Sequence, residues 1–434
     1  MVTDKKYKSM LMNYSRTLLA GRCVLLFTNF FLIIAALYHL KPASRSLFIS
    51  ALGSEYLPYV WIATALVLAA IISLYHRLVA RHSRINVVLG TCIVIIACLL
   101  LFFLQLADSG FIQAFAFYIF VDVLSVILVE QFWSLTNTIY DTASGKRWYG
   151  LIGTGGLLGG VAGGSMSNMF IARFGLDTID LLLVAAGIIA VLMLLTLLMG
   201  RLGLYAEHTG VGDNNGNKGH NSGEWRTILK HRYLFLIALI LLLAQMVEPL
   251  VEFQFMKVVE ASITDQDART AYLGTFFSLL SGVAIAINLF ITPLVHRWLG
   301  ALGGLFAQPL AVIAGSFWYM SQATLQAGAF LKISDRGLSY SINRASKELL
   351  YVPIDPLLIF QAKAWIDMFG YRLFKVLGSL LILLLTQWLP WSIDAGQLSW
   401  LVLGVCMVWM TVLLRLGREY RRIVSKAATV NAAA

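Results

Sequence analysis

Apolar runs of about 20 residues recur from one end of this 434-residue chain to the other, and that is the length an α-helix needs to cross the hydrocarbon of a bilayer. Bilayer interior offers no water to satisfy a loose backbone, so such runs have to be helical. Hydrophobic residues make up 59% of the sequence and charged residues only 13%, too little charge to clothe a water-soluble protein of this size. The expected fold is an all-α polytopic membrane protein. About twelve spans fit, near 18–40, 57–75, 86–105, 112–135, 149–172, 179–200, 233–256, 270–293, 300–320, 323–345, 366–388 and 397–416. The N-terminal "MVTDKKYKSMLMNYSR" is basic but lacks a short apolar core followed by a small-residue cleavage site, so the first span is expected to remain in the mature protein.

The net charge of +11 falls in short segments beside the spans rather than in a patch suited to nucleic acid. Lys5, Lys6, Lys8 and Arg16 precede the first span, Arg77, Arg81 and Arg84 follow the second, and Lys146 and Arg147 follow the fourth. Arg297 follows the eighth, and Arg415, Arg418, Arg421, Arg422 and Lys426 follow the last. With twelve spans these all lie on one side, which the positive-inside rule makes cytoplasmic, both termini included. Cys23, Cys92, Cys98 and Cys406 sit inside apolar runs with no metal-ligand spacing.

"HTGVGDNNGNKGHNSGE" is rich in Gly and Asn, without periodicity, and reads as a flexible cytoplasmic linker. It divides the chain into an N-terminal tail (1–17), a six-helix half (18–201), the linker (202–230), a second six-helix half (231–416) and a basic tail (417–434). The halves echo each other: aligning Lys146 with Lys363 puts Gly153 on Gly370. Two similar six-helix halves joined by a linker fit the major facilitator architecture; a different twelve-helix transporter is the other reading of the topology.

A charged side chain at mid-bilayer costs about 2.5–3.5 kcal/mol on insertion scales, so it faces a partner or a wet cavity. Asp122 lies midway along the fourth span, with Glu130 about two turns nearer the cytoplasm. Glu248 and Glu252 share a face of the seventh span, and Lys332, Asp335 and Arg336 share a face of the tenth. Asp367, Arg372 and Lys375 lie in the eleventh, and Lys41 and Arg45 at the outer end of the first. Structural ion pairing accounts for any one of them; Asp335, for instance, has Lys332 and Arg336 on its own helix. Together they offer cations from several helices, which suits an anionic solute bearing phosphate or carboxylate. The interspersed acids suit proton coupling, or a cation counter-charge that resets the carrier.

In "GTGGLLGGVAGG", Gly155, Gly159 and Gly163 form one small-xxx-small row, and Gly156, Gly160 and Gly164 another. Such rows let helix backbones approach closely in lipid. A phosphate-binding P-loop would need a terminal Lys-Ser/Thr, which the segment lacks. No Ser/His/Asp set, paired-carboxylate motif or nucleotide-hydrolysis motif occurs, so no enzyme and no cofactor are expected.

At "FWSLTN", "KRWYG", "NRASKELLYVPID", "AKAWID" and "GYRLFKVLGS", the chain resembles the ATP/ADP antiporter family, the nucleotide transporters of plastids and intracellular bacteria. The family's run is met by Lys347, Glu348, Tyr351, Pro353 and Asp355, then Lys363, Ala364 and Asp367, then Arg372, Leu373, Lys375, Gly378 and Ser379. The resemblance implies a major-facilitator-like fold and nucleotide exchange or import. It maps the family's functional charges to Lys41, to Asp122 or Glu130, to Glu252 and to Lys375. "YHLKPASRS" lacks the family's Asp and "GTGGLLGGVAGG" is richer in Gly than its fifth span, which places the chain in a divergent bacterial branch.

The reading is thus a secondary transporter of the bacterial inner membrane, working by alternating access on an anionic, nucleotide-like or phosphorylated solute. Lys375, Arg372, Arg336, Lys41 and Lys332 are the candidate substrate contacts. Glu130, Asp122, Glu252, Asp335 and Asp367 are the candidates for coupling or gating. The lipid bilayer and a small anion are the expected partners, with no nucleic acid, and the expected state is a monomer. A proton-coupled carrier or exporter of another organic anion, such as a carboxylate metabolite or siderophore, is the alternative within transport. A non-transporting membrane scaffold is the alternative outside it.

Overall fold

The computed structural model describes residues 2–79, 81, 83–106, 110–139, 142–201, 203, 231–351, 358, 366, 370–390 and 392–433. Among them every regular element is helical. We number the helices α1 (Val2–Leu52), α2 (Leu57–Val79), α3 (Arg84–Gln105), α4 (Phe111–Ile139), α5 (Thr142–Phe174), α6 (Asp180–Arg201), α7 (Arg232–Ser262), α8 (Gln266–Ala286), α9 (Thr292–Ser321), α10 (Leu325–Leu338), α11 (Arg344–Tyr351), α12 (Tyr371–Leu383) and α13 (Leu398–Ala433). π-Helical turns at Ile287–Ile291, Ser339–Asn343 and Leu384–Trp388 continue α8, α10 and α12. The linker, apart from Gly203, and most of "YVPIDPLLIFQAKAWIDMF", with Lys363 and Asp367, lie outside the described residues.

Nine helical stretches among the described residues are long and apolar enough to cross a membrane. One of them, Gln266–Ser321, is 56 residues long and holds two spans. They part at Gly300, whose φ of 70° and ψ of −179° no helix can contain. Two further spans, α5 and α10, fall below that apolarity because α5 is diluted by its glycines and α10 by Lys332, Asp335 and Arg336. Together these make up the twelve. Leu104, Ile112, Val191 and Trp298 are widely exposed, a surface suited to lipid and not to water.

The chain forms two compact units. The first comprises Met1–Ala51, Leu66–Asp213 and Asp265–Ser281. Its core gathers Leu26, Leu37 and Leu40 of α1 with Phe117 and Val121 of α4 and Leu181 and Ile189 of α6. The glycine rows of α5 do the work their spacing implies. A Cβ on Gly155, Gly159 or Gly163 would fall 2.4–2.6 Å from the carbonyl oxygens of Phe27, Phe31 and Ala35, so α5 lies directly on the backbone of α1. In the second row, Gly164 meets the Gly274 carbonyl of α8 equally closely.

The first span was expected to stop near residue 40, yet α1 continues through Pro42 to Leu52. Proline removes the hydrogen bond to the carbonyl four residues back, here Tyr38. The Ser167 hydroxyl of α5 lies 3.2 Å from that oxygen and re-satisfies it, which is how membrane helices tolerate proline.

The second unit comprises Leu52–Ala65, Asn214–Thr264 and Gly282–Ala434. Helix α7 is its axis: 20 of its 31 residues are buried, against α10, α12 and α13. Helix α9 packs on α10 and α13. At one end of α7 the Glu260 carboxylate caps the short turn Ser54–Tyr56 by accepting from the Ser54 amide and hydroxyl, and Lys257 pairs with Glu55 at 2.9 Å.

Candidate functional site

The charged residues of the second unit form one network around α7. Glu248 and Glu252, four residues apart, present both carboxylates on one face. Helix α10 answers with Lys332, Asp335 and Arg336. Lys332 Nζ pairs with Glu252 Oε2 and Arg336 with Glu248 Oε1, both in close contact. Lys375 of α12 reaches the same Glu248 oxygen at 3.4 Å. Arg336 also stacks over the Tyr340 ring, 5.7 Å from its centroid, in the π-helical turn that follows α10.

Two backbone features bring α12 within reach. Pro249 interrupts the ladder of α7 beside Glu248. Gly378 of α12 then fits against the break: a Cβ there would lie 2.6 Å from Pro249 Cγ and 2.8 Å from the Met246 carbonyl. Lys375 sits one turn before Gly378. The Arg-Leu-x-Lys-x-x-Gly-Ser run is therefore a packing device and a charge carrier at once.

Burial separates the cations. The Lys332 side chain is 4% exposed, whereas that of Lys375 is 36% exposed. Arg372, near the start of α12, is half-buried. Asp335 is buried and accepts from Gln308 Nε2 at 3.1 Å, and Gln308 Oε1 accepts from Asn343 Nδ2 at 2.5 Å.

In the first unit, Arg45 donates to Asp122 at 2.6 Å, lies 4.5 Å over the Tyr118 ring and also reaches the Ser44 hydroxyl. Lys41 stands 5.8 Å above the Tyr38 ring. Glu130 is exposed on α4, within electrostatic reach of Tyr75. The fourth-span acids thus differ in kind: Asp122 is held by an arginine and Glu130 is exposed. The motif segments "FWSLTN" and "KRWYG" also touch, since Trp133 packs edge-on against Tyr149 at 5.7 Å and Tyr149 donates to Asn137 at 2.9 Å. Lys347 likewise donates to Tyr371 at 3.0 Å, joining the tenth-span and eleventh-span motifs.

Of the sequence candidates, Lys332, Asp335, Arg336, Lys375 and Glu252 come together in one unit. Lys41, Asp122 and Glu130 belong to the other. Asp367 lies outside the described residues. The sequence reading passed over Glu248 in favour of Glu252, although Glu248 holds two cations. It also passed over Arg45, Gln308 and Asn343. Gln308 carried a signal: an amide preceding a proline inside an apolar run, "FAQPL".

Chemically the network is a balanced set of opposite charges. Three cations (Lys332, Arg336, Lys375) face three acids (Glu248, Glu252, Asp335), and the most accessible cation has the longest contact.

The sequence pattern of the TLC ATP/ADP transporter family matches residues 111–327 and 304–420. The chain belongs to this family. Its matched region contains every candidate site residue above except Lys41 and Arg45. Among relatives, the "ADP,ATP carrier protein 3" of Rickettsia bellii (strain RML369-C) is 22% identical over 357 residues, 70% of each chain. The "ADP,ATP carrier protein 2" of Chlamydia pneumoniae is 23% identical over 343 residues, 68% of this chain and 64% of that one. Among solved structures, the nucleoside transporter NupG superposes with a TM-score of 0.63 at 14% identity, covering 92% of this chain and 98% of that one. The POT family transporter PepTSo superposes with a TM-score of 0.66 at 12% identity, covering 93% and 98%. Likeness at this identity concerns the fold, which is that of the major facilitator transporters. The chain is a polytopic membrane protein of a transporter family.

Proposed function

We propose that the protein is a secondary transporter that moves an anionic, nucleotide-like solute across the bacterial inner membrane by alternating access, with both termini cytoplasmic. The observation that carries this reading is the carboxylate of Glu248, shared by Arg336 and Lys375. A solute phosphate can take the place of that carboxylate and draw both cations to itself, since guanidinium and ammonium groups bind phosphate as readily as carboxylate. Arg372 and Lys41 add positive charge, and Lys332 joins when its pair with Glu252 opens. Glu252, Asp122, Glu130 and Asp367 serve gating or coupling. The curated relatives are named as ADP,ATP carriers, which supports a nucleotide as the solute.

The test is uptake of labelled ATP into proteoliposomes, with and without internal ADP. Wild-type protein should accumulate label, and Lys375→Ala should not while keeping its thermal unfolding profile. Unchanged uptake in Lys375→Ala would remove that lysine from the site. A thermal-shift screen of nucleotides against organic acids decides the substrate class, because a ligand stabilises the state it binds. Stabilisation by carboxylates alone would move the reading to an organic-anion carrier.

A further inference from the structure

The charges around α7 do not treat their three acids alike. Glu252 holds Lys332, and Glu248 holds Arg336 with Lys375 beside it. Asp335, on the same turn of α10 as both basic residues, is left with the least. It is 2% exposed. Its Oδ1 accepts from Gln308 Nε2, which also lies 3.1 Å from the Asp335 main-chain oxygen. Its Oδ2 is buried and has no hydrogen-bond donor among the described residues. The nearest cationic atom is Arg336 Nε at 3.8 Å, on a guanidinium already committed to Glu248.

The surroundings give a donor to Oδ1 and, among the described residues, none to Oδ2. Asn343 Nδ2 donates to Gln308 Oε1, so the Gln308 amide is oriented with its nitrogen towards Asp335. The chain of donors therefore runs from Asn343 through Gln308 to Asp335 and ends there. Asn343 Oδ1 is a second buried acceptor with no donor among the described residues. The other groups facing Asp335 are Lys332 and Arg336 on its own helix, Glu252 on α7 and the thiol of Cys406 on α13. A buried acceptor without a donor costs free energy, and this network has two.

A metal ion does not suit the gap. Hard cations take about six or more oxygen ligands, whereas the open buried oxygens here are two, and Lys332 and Arg336 repel a cation. A proton suits it. Bound to Asp335 Oδ2, it removes the charge of a buried carboxylate and leaves the Gln308 bond to Oδ1 in place.

We propose that Asp335 is a proton-binding site of the transport cycle, taking a proton on Oδ2 when an anionic solute draws Lys375 and Arg336 away from Glu248, and releasing it when the solute leaves. This rests on the anion reading given above. In the empty protein three cations balance three carboxylates. A bound anion adds negative charge to the network, and one proton on Asp335 offsets one unit of it. Solute and proton therefore bind with mutual support, each raising occupancy by the other, as linkage requires.

The test is infrared absorption of the full-length protein in nanodiscs, titrated with pH, following the protonated-carboxyl stretch. Wild type should show a titrating band that Asp335→Asn removes and that Glu252→Gln retains. A band that survives Asp335→Asn, or that Glu252→Gln removes instead, would overturn the assignment. Gln308→Leu provides a check that keeps Asp335 in place. Losing a hydrogen bond to the ionised form should raise proton affinity about tenfold, moving the midpoint about one pH unit upward; an unmoved midpoint counts against the site. ATP is then added and its binding measured on the same samples. Bound ATP should raise the midpoint, and bound ATP with no shift would refute the coupling. Absence of ATP binding would instead refute the nucleotide reading, while the ligand-free titration still decides where the proton sits.

Discussion

Gly378→Ala is a one-methyl perturbation with a calculable consequence. The added Cβ would lie 2.6 Å from Pro249 Cγ and 2.8 Å from the Met246 carbonyl oxygen. Both neighbours are part of α7 at its proline break and neither is the free end of a flexible chain. Ordinary contact begins near 3.4 Å, so α12 has to retreat by about 0.8 Å or α7 has to bend. Overpacking of this kind costs about 1–3 kcal/mol. The retreat also acts on function, because Lys375 lies one turn away and its 3.4 Å contact to Glu248 has no slack.

Thermal unfolding in nanodiscs reads the first effect, with Gly404→Ala as control. Gly404 on α13 has open space where a Cβ would go, so alanine there should be neutral or stabilising by about 0.5–1 kcal/mol. Combining Gly378→Ala with Glu248→Gln reads the second. If Gly378 acts by bringing Lys375 to Glu248, the two losses in transport are less than additive. A Gly378→Ala protein as stable and as active as wild type would refute the argument.

Lys332→Met should destabilise by about 3–5 kcal/mol, because it takes the buried lysine of a largely desolvated pair away from the half-buried Glu252, and Lys332→Met/Glu252→Gln should recover most of that loss; chemical denaturation of the two variants checks it. Arg45→Asp and Asp122→Arg should each cripple the protein, while the double exchange, which restores opposite charges 2.6 Å apart, should recover folding measured by size-exclusion profile and melting temperature. Gly159→Ala should loosen α1 from α5 at a cost of about 1–3 kcal/mol, since its Cβ would lie 2.4 Å from the Phe31 carbonyl oxygen; Gly153→Ala, with nothing within 4 Å, is the matched control.

How much could be read beforehand varies with the range of the interaction. Spans were legible because hydropathy and length are local quantities, and the α5 glycine rows were legible because a four-residue spacing is a face. The end of α1 was not, because what rescues Pro42 is Ser167, more than a hundred residues away. Lys332, Asp335 and Arg336 could be placed on one face of α10, but not matched to partners. Asp335 looked like the natural partner of Lys332, and Glu252 takes that lysine instead. Choosing between Glu248 and Glu252 required the approach of α12, set by Gly378 and Pro249, neither of which carries charge.

That choice bears on what Glu248 does in a cycle. Cations that attract a phosphate are a liability when no phosphate is present, since a charge left unpaired in a membrane protein is costly. In the proposed cycle Glu248 and Glu252 relieve this by standing in for the solute, pairing with Arg336, Lys375 and Lys332. An internal stand-in is also a competitor. Glu248→Gln removes the competing charge while keeping the shape, so ATP should bind about tenfold tighter, the scale of one charge-assisted hydrogen bond. The same change leaves the empty protein with an uncompensated cation, so its return without solute should slow, and net ATP uptake should fall more than ATP-for-ADP exchange. Binding to nanodiscs together with uptake into ADP-loaded and unloaded proteoliposomes separates the two effects. Weaker binding by Glu248→Gln would mean that the carboxylate positions the cations for the solute and does not compete with it, and the stand-in argument would fail.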